Sequence, residues 1–448
     1  MSHRISKKPP GPRMPRALQA VGWTQRPMPF LERCHRRYGD TFTLRIRHYG
    51  DWVILADPDD VKKVFTAGQA VGVATANPLL GPLLGPRSVM LLEEPEHMTR
   101  RKLMLPSFHG KAVQADSEMM AKVARQEIAR WPVGEPFVLW PRMQDVTLDV
   151  VMRAVFGPDS QSPRLQPLRE RLQALTTWMN EPGNLAMLAA FGPGWVTRSR
   201  GYREAMGAVE EAVMEEVQRR KSEPDGGEIG VVSMLVGARY EDGSPLSDQD
   251  LRDELVTLLS DGPTSSTLAW TFERLLRNPD KLDLLRADIL SGDGSYLDAV
   301  VKETLRLRPP VPVVVRTLLE PLRLGGYDLP AGTIVAPCIH LIHRDERWYD
   351  EPLRFLPERF VGKQPGTYTW IPFGGGVRRC LAASYAEMEM KRVLRVVFES
   401  TELRAVESSG ERARKSAISF SPDQKGLVIA EPRAGGPSES ESPTLAPV

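Results

Sequence analysis

A mainly α-helical fold with a small β-rich lobe near the N-terminus follows from three features of this 448-residue sequence. Alternation of apolar and polar residues is short, and Thr41-Phe-Thr-Leu-Arg-Ile-Arg47 is its first instance. From Pro95 onward the period turns helical; Tyr202, Met206, Val209, Val213 and Val217 mark one apolar stripe on a long helix. A mainly apolar helical pattern then runs from Leu251 to Leu276, which is long for a globular helix.

Taken in order, the chain opens on a basic, Pro-rich arm, Met1 to Pro12. His48 to Asp51 turns the first strand back into Trp52-Val-Ile-Leu55, giving a hairpin. Gly-rich and charged residues from Glu223 to Glu228 predict a loop, and Ser247 with Asp250 resembles a capping box that opens the long central helix. Within it, Gly262 and Pro263 predict a kink or groove, and Asn278-Pro279 ends it. A helix over about Tyr296 to Leu307 stops at Pro309-Pro310, another spans about Leu381 to Ser400, and a β return reaches Ile429.

With 41% hydrophobic and 26% charged residues, the chain has the composition of a soluble globular protein. Lys plus Arg at 59 against Asp plus Glu at 57 leaves +2, which favours neither nucleic acid nor an anionic membrane. Three scattered cysteines, Cys34, Cys338 and Cys380, are not a disulfide framework and suit a reducing compartment. No secretory core follows the basic N-terminus, and no 18-residue apolar run is present, so a cytoplasmic protein without a membrane anchor is expected.

The strongest chemical signal is Phe373-Gly-Gly-Gly-Val-Arg-Arg-Cys380, leading directly into a helical stretch. Backbone N–H groups at a helix start, together with Arg378 and Arg379, favour a thiolate at Cys380. The glycines let backbone approach a flat partner. A lone cysteine after a glycine turn is inert about as often as not, but three glycines and two arginines weigh against that. Glu303 and Arg306 share a helix face one turn apart; alone, such a pair is usually an exposed ion pair. His97 and Arg101, four residues apart on a basic stretch, usually form a solvated face.

These residues together resemble the cytochrome P450 family, whose ligand loop reads Phe-x-x-Gly-x-Arg-x-Cys-x-Gly. Phe373, Gly376, Arg378 and Cys380 match it, while Ala382 replaces the last glycine. The resemblance covers about residues 9 to 430. It implies a P450 fold binding haem b, with iron held by the Cys380 thiolate. Arg378, His97, Arg101 and Arg316 would meet the haem propionates. Glu303, Arg306 and Arg359, the last in Pro357-Glu-Arg-Phe360, would form a buried structural network.

One departure from the family concerns oxygen chemistry. The family's central helix carries a Gly-x-Asp/Glu-Thr motif for proton delivery, whereas the interval between Gly262 and Leu268 is about two residues short, which rotates the remainder of the helix by about 200°. Asp261 precedes the glycine, and Thr264 or Ser265 is left to supply the catalytic hydroxyl.

Other readings explain less. Cys338, His340 and His343 have a spacing that, on a strand, sets His343 on the opposite face, so a zinc site is disfavoured. A Cys-His hydrolase leaves Glu303 and the arginines unexplained. The glycine loop lacks the Gly-Lys-Ser/Thr of a phosphate-binding loop. A haem carrier or sensor with little monooxygenase activity is the competing reading.

The resemblance implies a bacterial monooxygenase that is monomeric. It would insert one atom of O2 into an apolar fatty acid, terpenoid or polyketide-like compound of secondary metabolism. A separate ferredoxin or flavodoxin with an NAD(P)H reductase would supply electrons, docking on Arg100, Lys102, Arg379, Lys391, Arg392 and Arg395. Residues 1–14 are read as an arm, 15–431 as the haem domain and 432–448 as a disordered tail. Val71 to Val89 and Pro182 to Val196 would cover the pocket.

Overall fold

The computed structural model describes residues 8–73, 80–157, 160, 162–223, 230–260, 262–407, 409–416 and 419–433. Most of the expected loop at Glu223 to Glu228, part of the Val71 to Val89 segment and nearly all of the tail lie outside them.

The predicted hairpin pairs Thr41–Ile46 with Gly50–Leu55, in the register Thr41↔Leu55 to Ile46↔Gly50. It is one edge of a five-stranded sheet. Gly50–Leu55 runs parallel to Ile334–Pro337, which pairs with Arg316–Leu318, and that strand pairs with Val71–Gly72. Because a parallel neighbour cannot come from a tight turn, the partner strand lies far along the chain, beyond the reach of local pattern. The Pro-rich arm lies against the hairpin: Thr43 donates its N–H to Pro10 O at 2.7 Å and its hydroxyl to Pro9 O at 3.0 Å. A Cβ on Gly11 would stand 2.0 Å from Thr43 O, so only glycine permits this approach.

The helical body packs around one large apolar cluster, while Trp23, Phe30, Leu31, Cys34 and Cys338 share a smaller one beneath the hairpin. The Ser247–Asp250 capping box is formed in both directions. The expected long central helix, however, is not one kinked helix but two, Asp248–Leu259 and Pro263–Leu276. Pro263 has no N–H to offer Leu259 O, and its ring excludes that carbonyl, so the first helix ends there. Proline then suits the first position of the second helix. Downstream, Ser295–Leu307 and Ala383–Ser400 agree with expectation to within a turn.

A thiol loop ringed by cations

The cysteine loop is closed by its own backbone. Cys380 N–H donates to Phe373 O at 2.9 Å, and Gly374 and Gly376 adopt φ of 70° and 66°. A Cβ on Gly376 would stand 1.9 Å from Phe65 O, and one on Gly375 2.4 Å from the Phe65 ring. Two of the three glycines thus serve contact with helix Pro58–Thr66. Cys380 does not begin the next helix, which starts at Ala383; instead the N–H of Ala382 points to its sulfur. Its side chain is exposed on the loop, while the mass of surrounding protein partly desolvates the thiol. Burial holds the thiol above the ordinary cysteine range, while Ala382 N–H, Arg379 and Arg101 pull the other way. A thiol so placed becomes a thiolate when a cation coordinates it.

Three of the predicted arginines and His97 lie within electrostatic reach of one another, and Arg101 is the one that reaches this sulfur. Arg101 couples electrostatically to Cys380 and Arg379, Arg378 couples to both His97 and Arg316, and Arg101 also couples to His97. Among the described residues Arg316 donates only to the carbonyl of its neighbour Val315, at 2.9 Å, and burial brings it down to about 10. Sequence reasoning missed their carboxylate counterparts. Glu94 Oε1 lies 2.6 Å from His97 Nδ1, and Glu93 Oε2 lies 3.1 Å from Arg378 Nη2. Two adjacent glutamates just before the basic helix were the available signal. Arg378, expected to favour the thiolate, faces Glu93 instead. Burial and the neighbouring Arg378 keep His97 below the ordinary histidine range. A soft sulfur donor beside clustered, partly unpaired cations fits a group that carries both a metal and carboxylates.

Glu303 and Arg306 are fully buried and form a bidentate pair at 2.7 and 2.8 Å. Arg306 also donates to the carbonyls of His343, Pro352 and Arg354, at 2.6, 2.8 and 3.2 Å. Glu303 accepts Leu356 N–H at 2.8 Å, and Arg359 Nε lies 3.3 Å from it. The charges are therefore paired and their remaining hydrogen-bonding capacity used, as burial requires. Cys338, His340 and His343 part ways here: Ile339–Ile342 is helical rather than strand, His340 meets Glu32 at 2.9 Å, and His343 binds backbone. Among the described residues no cluster of three His, Cys, Asp or Glu could hold a metal.

The sequence model of the cytochrome P450 family matches residues 7–427. The chain belongs to this family. A Mycobacterium tuberculosis protein designated cytochrome P450 135B1 is 40% identical over 428 residues, covering 92% of this chain and 89% of its own. One designated cytochrome P450 137, from the same species, is 37% identical with the same coverage. Among solved structures, retinoic acid-bound cyanobacterial CYP120A1 aligns with a TM-score of 0.82 at 22% identity, covering 96% of this chain and all of its own, which shows the shared fold. This P450 is accordingly a haem-dependent monooxygenase with a cysteine thiolate ligand, and it uses O2, a small-molecule substrate and a redox partner. No helix among the described residues is long and apolar enough to cross a membrane.

The proton-handling candidates of this P450 differ sharply in setting. Asp261 lies outside the described residues. Ser265 is fully buried and donates back to Gly262 O at 3.1 Å, and Ser266 meets Ser419 at 3.2 Å. Thr267 donates to Pro263 O at 2.8 Å. Thr264 alone of this run is half-buried, and its hydroxyl has no hydrogen-bond partner among the described residues. The expected docking patch also loses a member. Arg100 is buried, 2.7 Å from Asp250 and 2.9 Å from Glu254. Lys391 pairs with Asp298, while Lys102 and Arg379 are exposed.

Proposed function

We propose that Cys380 is the axial thiolate of this monooxygenase, that Arg101, Arg316, Arg378 and His97 hold the haem propionates, and that the substrate is an apolar small molecule oxidised with electrons from a ferredoxin or flavodoxin. The observation that carries this is the accessible sulfur of Cys380 with Arg101 and Arg379 in electrostatic reach of it. When bound, the haem supplies oxygen activation, favoured by electron donation from the thiolate. The protein's share is to hold and to deliver. Arg316 offers a desolvated guanidinium that a carboxylate would neutralise, and His97, kept neutral, offers a hydrogen bond without adding charge. Glu303, Arg306 and His343 hold the thiol loop in position. Thr264 presents the hydroxyl that hands protons toward the reaction centre, and Ser265, turned to its own helix, positions that turn.

Replacing Cys380 by Ser tests the assignment. The expected result is loss of the thiolate signature from the reduced, CO-bound absorption spectrum, with Cys34→Ser and Cys338→Ser retaining it. Retention in the Cys380 variant overturns the reading. NAD(P)H consumption with a reconstituted reductase system, absent from a carrier or sensor, tests turnover.

A further inference from the structure

Glu94 stands directly behind His97, and both of its oxygens are engaged. Oε1 lies 2.6 Å from His97 Nδ1, and Oε2 accepts the N–H of Met98 at 3.3 Å. A carboxylate offers no hydrogen, so the short contact needs the ring proton on Nδ1. The opposite tautomer would set two lone pairs against each other at that distance. Turning the ring over would forfeit the bond inside the protein, since His97 is buried. A neutral His97 therefore presents Nε2 as a bare acceptor, and among the described residues no hydrogen bond reaches that atom.

Charge around the ring has both signs. Arg378 reaches it from the thiol loop and Arg101 from its own helix; Glu94 stands just before that helix, and Glu93 faces Arg378 at 3.1 Å. With protein groups alone, burial leads and Arg378 follows in keeping the ring from taking a second proton. A propionate beside Nε2 changes that balance. Its oxygen is also an acceptor, so two acceptors meet with no hydrogen between them unless one proton is added. The propionate charge on one side of the ring and Glu94 on the other favour that addition. One proton between Nε2 and the propionate turns two repelling lone pairs into a charge-assisted hydrogen bond.

We propose that Glu94 is a positioning residue that locks the Nδ1–H tautomer of His97, and that haem binding consequently draws one proton from solvent, held between His97 Nε2 and a propionate. This rests on the placement of a propionate at His97 in the reading above. Water or buffer gives the proton up as haem seats and takes it back as haem leaves. The sign of the pH dependence follows. A loaded site that binds more protons than its separated parts is favoured as pH falls. Haem retention weakens as pH rises through the range in which that proton is lost, by at most about tenfold per pH unit. Glu94→Gln removes the constraint, because an amide N–H can donate to Nδ1 and leave the ring proton on Nε2 for the propionate.

Haem transfer from the holoenzyme to excess apomyoglobin, followed from pH 6.5 to 8.5, tests the proton. The rate is expected to rise with pH, by up to about tenfold per unit, in the parent protein and to stay flat in Glu94→Gln. Ring nitrogen resonances of the reduced, CO-bound holoenzyme supply a second readout, with His97 assigned among the 7 histidines by its loss in His97→Gln. Both ring nitrogens of the parent should carry or share a proton at pH 7, whereas Nδ1 should be bare in Glu94→Gln. A flat rate in the parent, an equal rise in Glu94→Gln, or a bare Nε2 in the parent overturns the proposal. His97→Leu separates the two levels. Faster haem loss in that variant with a flat parent profile sinks the proton alone, whereas loss at the parent rate at every pH removes the propionate from His97 as well. The CO-bound thiolate spectrum of each variant keeps these outcomes apart from failure at Cys380.

Discussion

Ile371 donates its backbone N–H to His343 Nε2 at 2.8 Å, while Nδ1 of the same ring lies 3.2 Å from the carbonyl of Arg306. An accepting Nε2 leaves the proton on Nδ1, so the neutral ring links the end of the Glu303 helix to the start of the thiol loop. His343 thus ties the helix that carries Glu303 to the stretch that leads into the Cys380 loop.

Removing that link should loosen the loop. His343→Phe keeps most of the volume but orphans a buried N–H, and it should cost about 1–3 kcal/mol of stability. Haem retention should fall with it. Denaturant midpoints and the ratio of haem to protein absorbance check both, and an unchanged ratio would remove the role assigned to His343.

Stability should also depend on pH through two histidines. Burial, helped by Arg344 and Arg306, holds His340 near 4 and His343 near 3, against an ordinary value of 6.5. Both stay neutral in the folded protein, so the unfolded chain alone takes up protons below pH 6.5. Their stabilising effect is complete above that pH and is lost as pH falls from 6.5 toward 4, at about 1.4 kcal/mol per pH unit per ring. Urea unfolding at pH 7.5, 6.0 and 5.0 should show this slope, reduced in His343→Gln.

Proton delivery should rest on Thr264 rather than Ser265. Thr264→Ala is expected to lower product formed per NAD(P)H and raise peroxide, by about tenfold or more, since placed proton-transfer groups contribute at least this much. Ser265→Ala, whose hydroxyl is spent on Gly262 O, should change coupling little. A His-Asp insertion after Gly262 should improve coupling in the parent protein. Equal losses in the two alanine variants would argue against the assignment.

Electron transfer should be steered by Lys102 and Arg379, which are exposed, and not by Arg100, which is buried against Asp250 and Glu254. With an acidic ferredoxin, the first-electron rate should fall steeply as salt rises, because screening shortens the reach of surface charge to about 8–10 Å near physiological ionic strength. Arg379→Glu should flatten that dependence. Arg100→Gln should lower stability and leave the salt slope unchanged; stopped-flow reduction across ionic strength separates the two.

Local pattern determined the hairpin, the Ser247–Asp250 cap, the helices that carry Glu303 and follow Cys380, and the glycine-rich loop that leads to Cys380, because each depends on neighbours within a few residues. Pro263 was visible too, but pattern alone did not distinguish a kink from a break; that depended on whether the chain could reconnect past Leu259. Pairings between residues well apart in the chain were beyond sequence reach. The strand beside Gly50–Leu55, the burial of Arg100 against Glu254, Glu93 on Arg378 and His343 on Ile371 all depend on which surfaces meet.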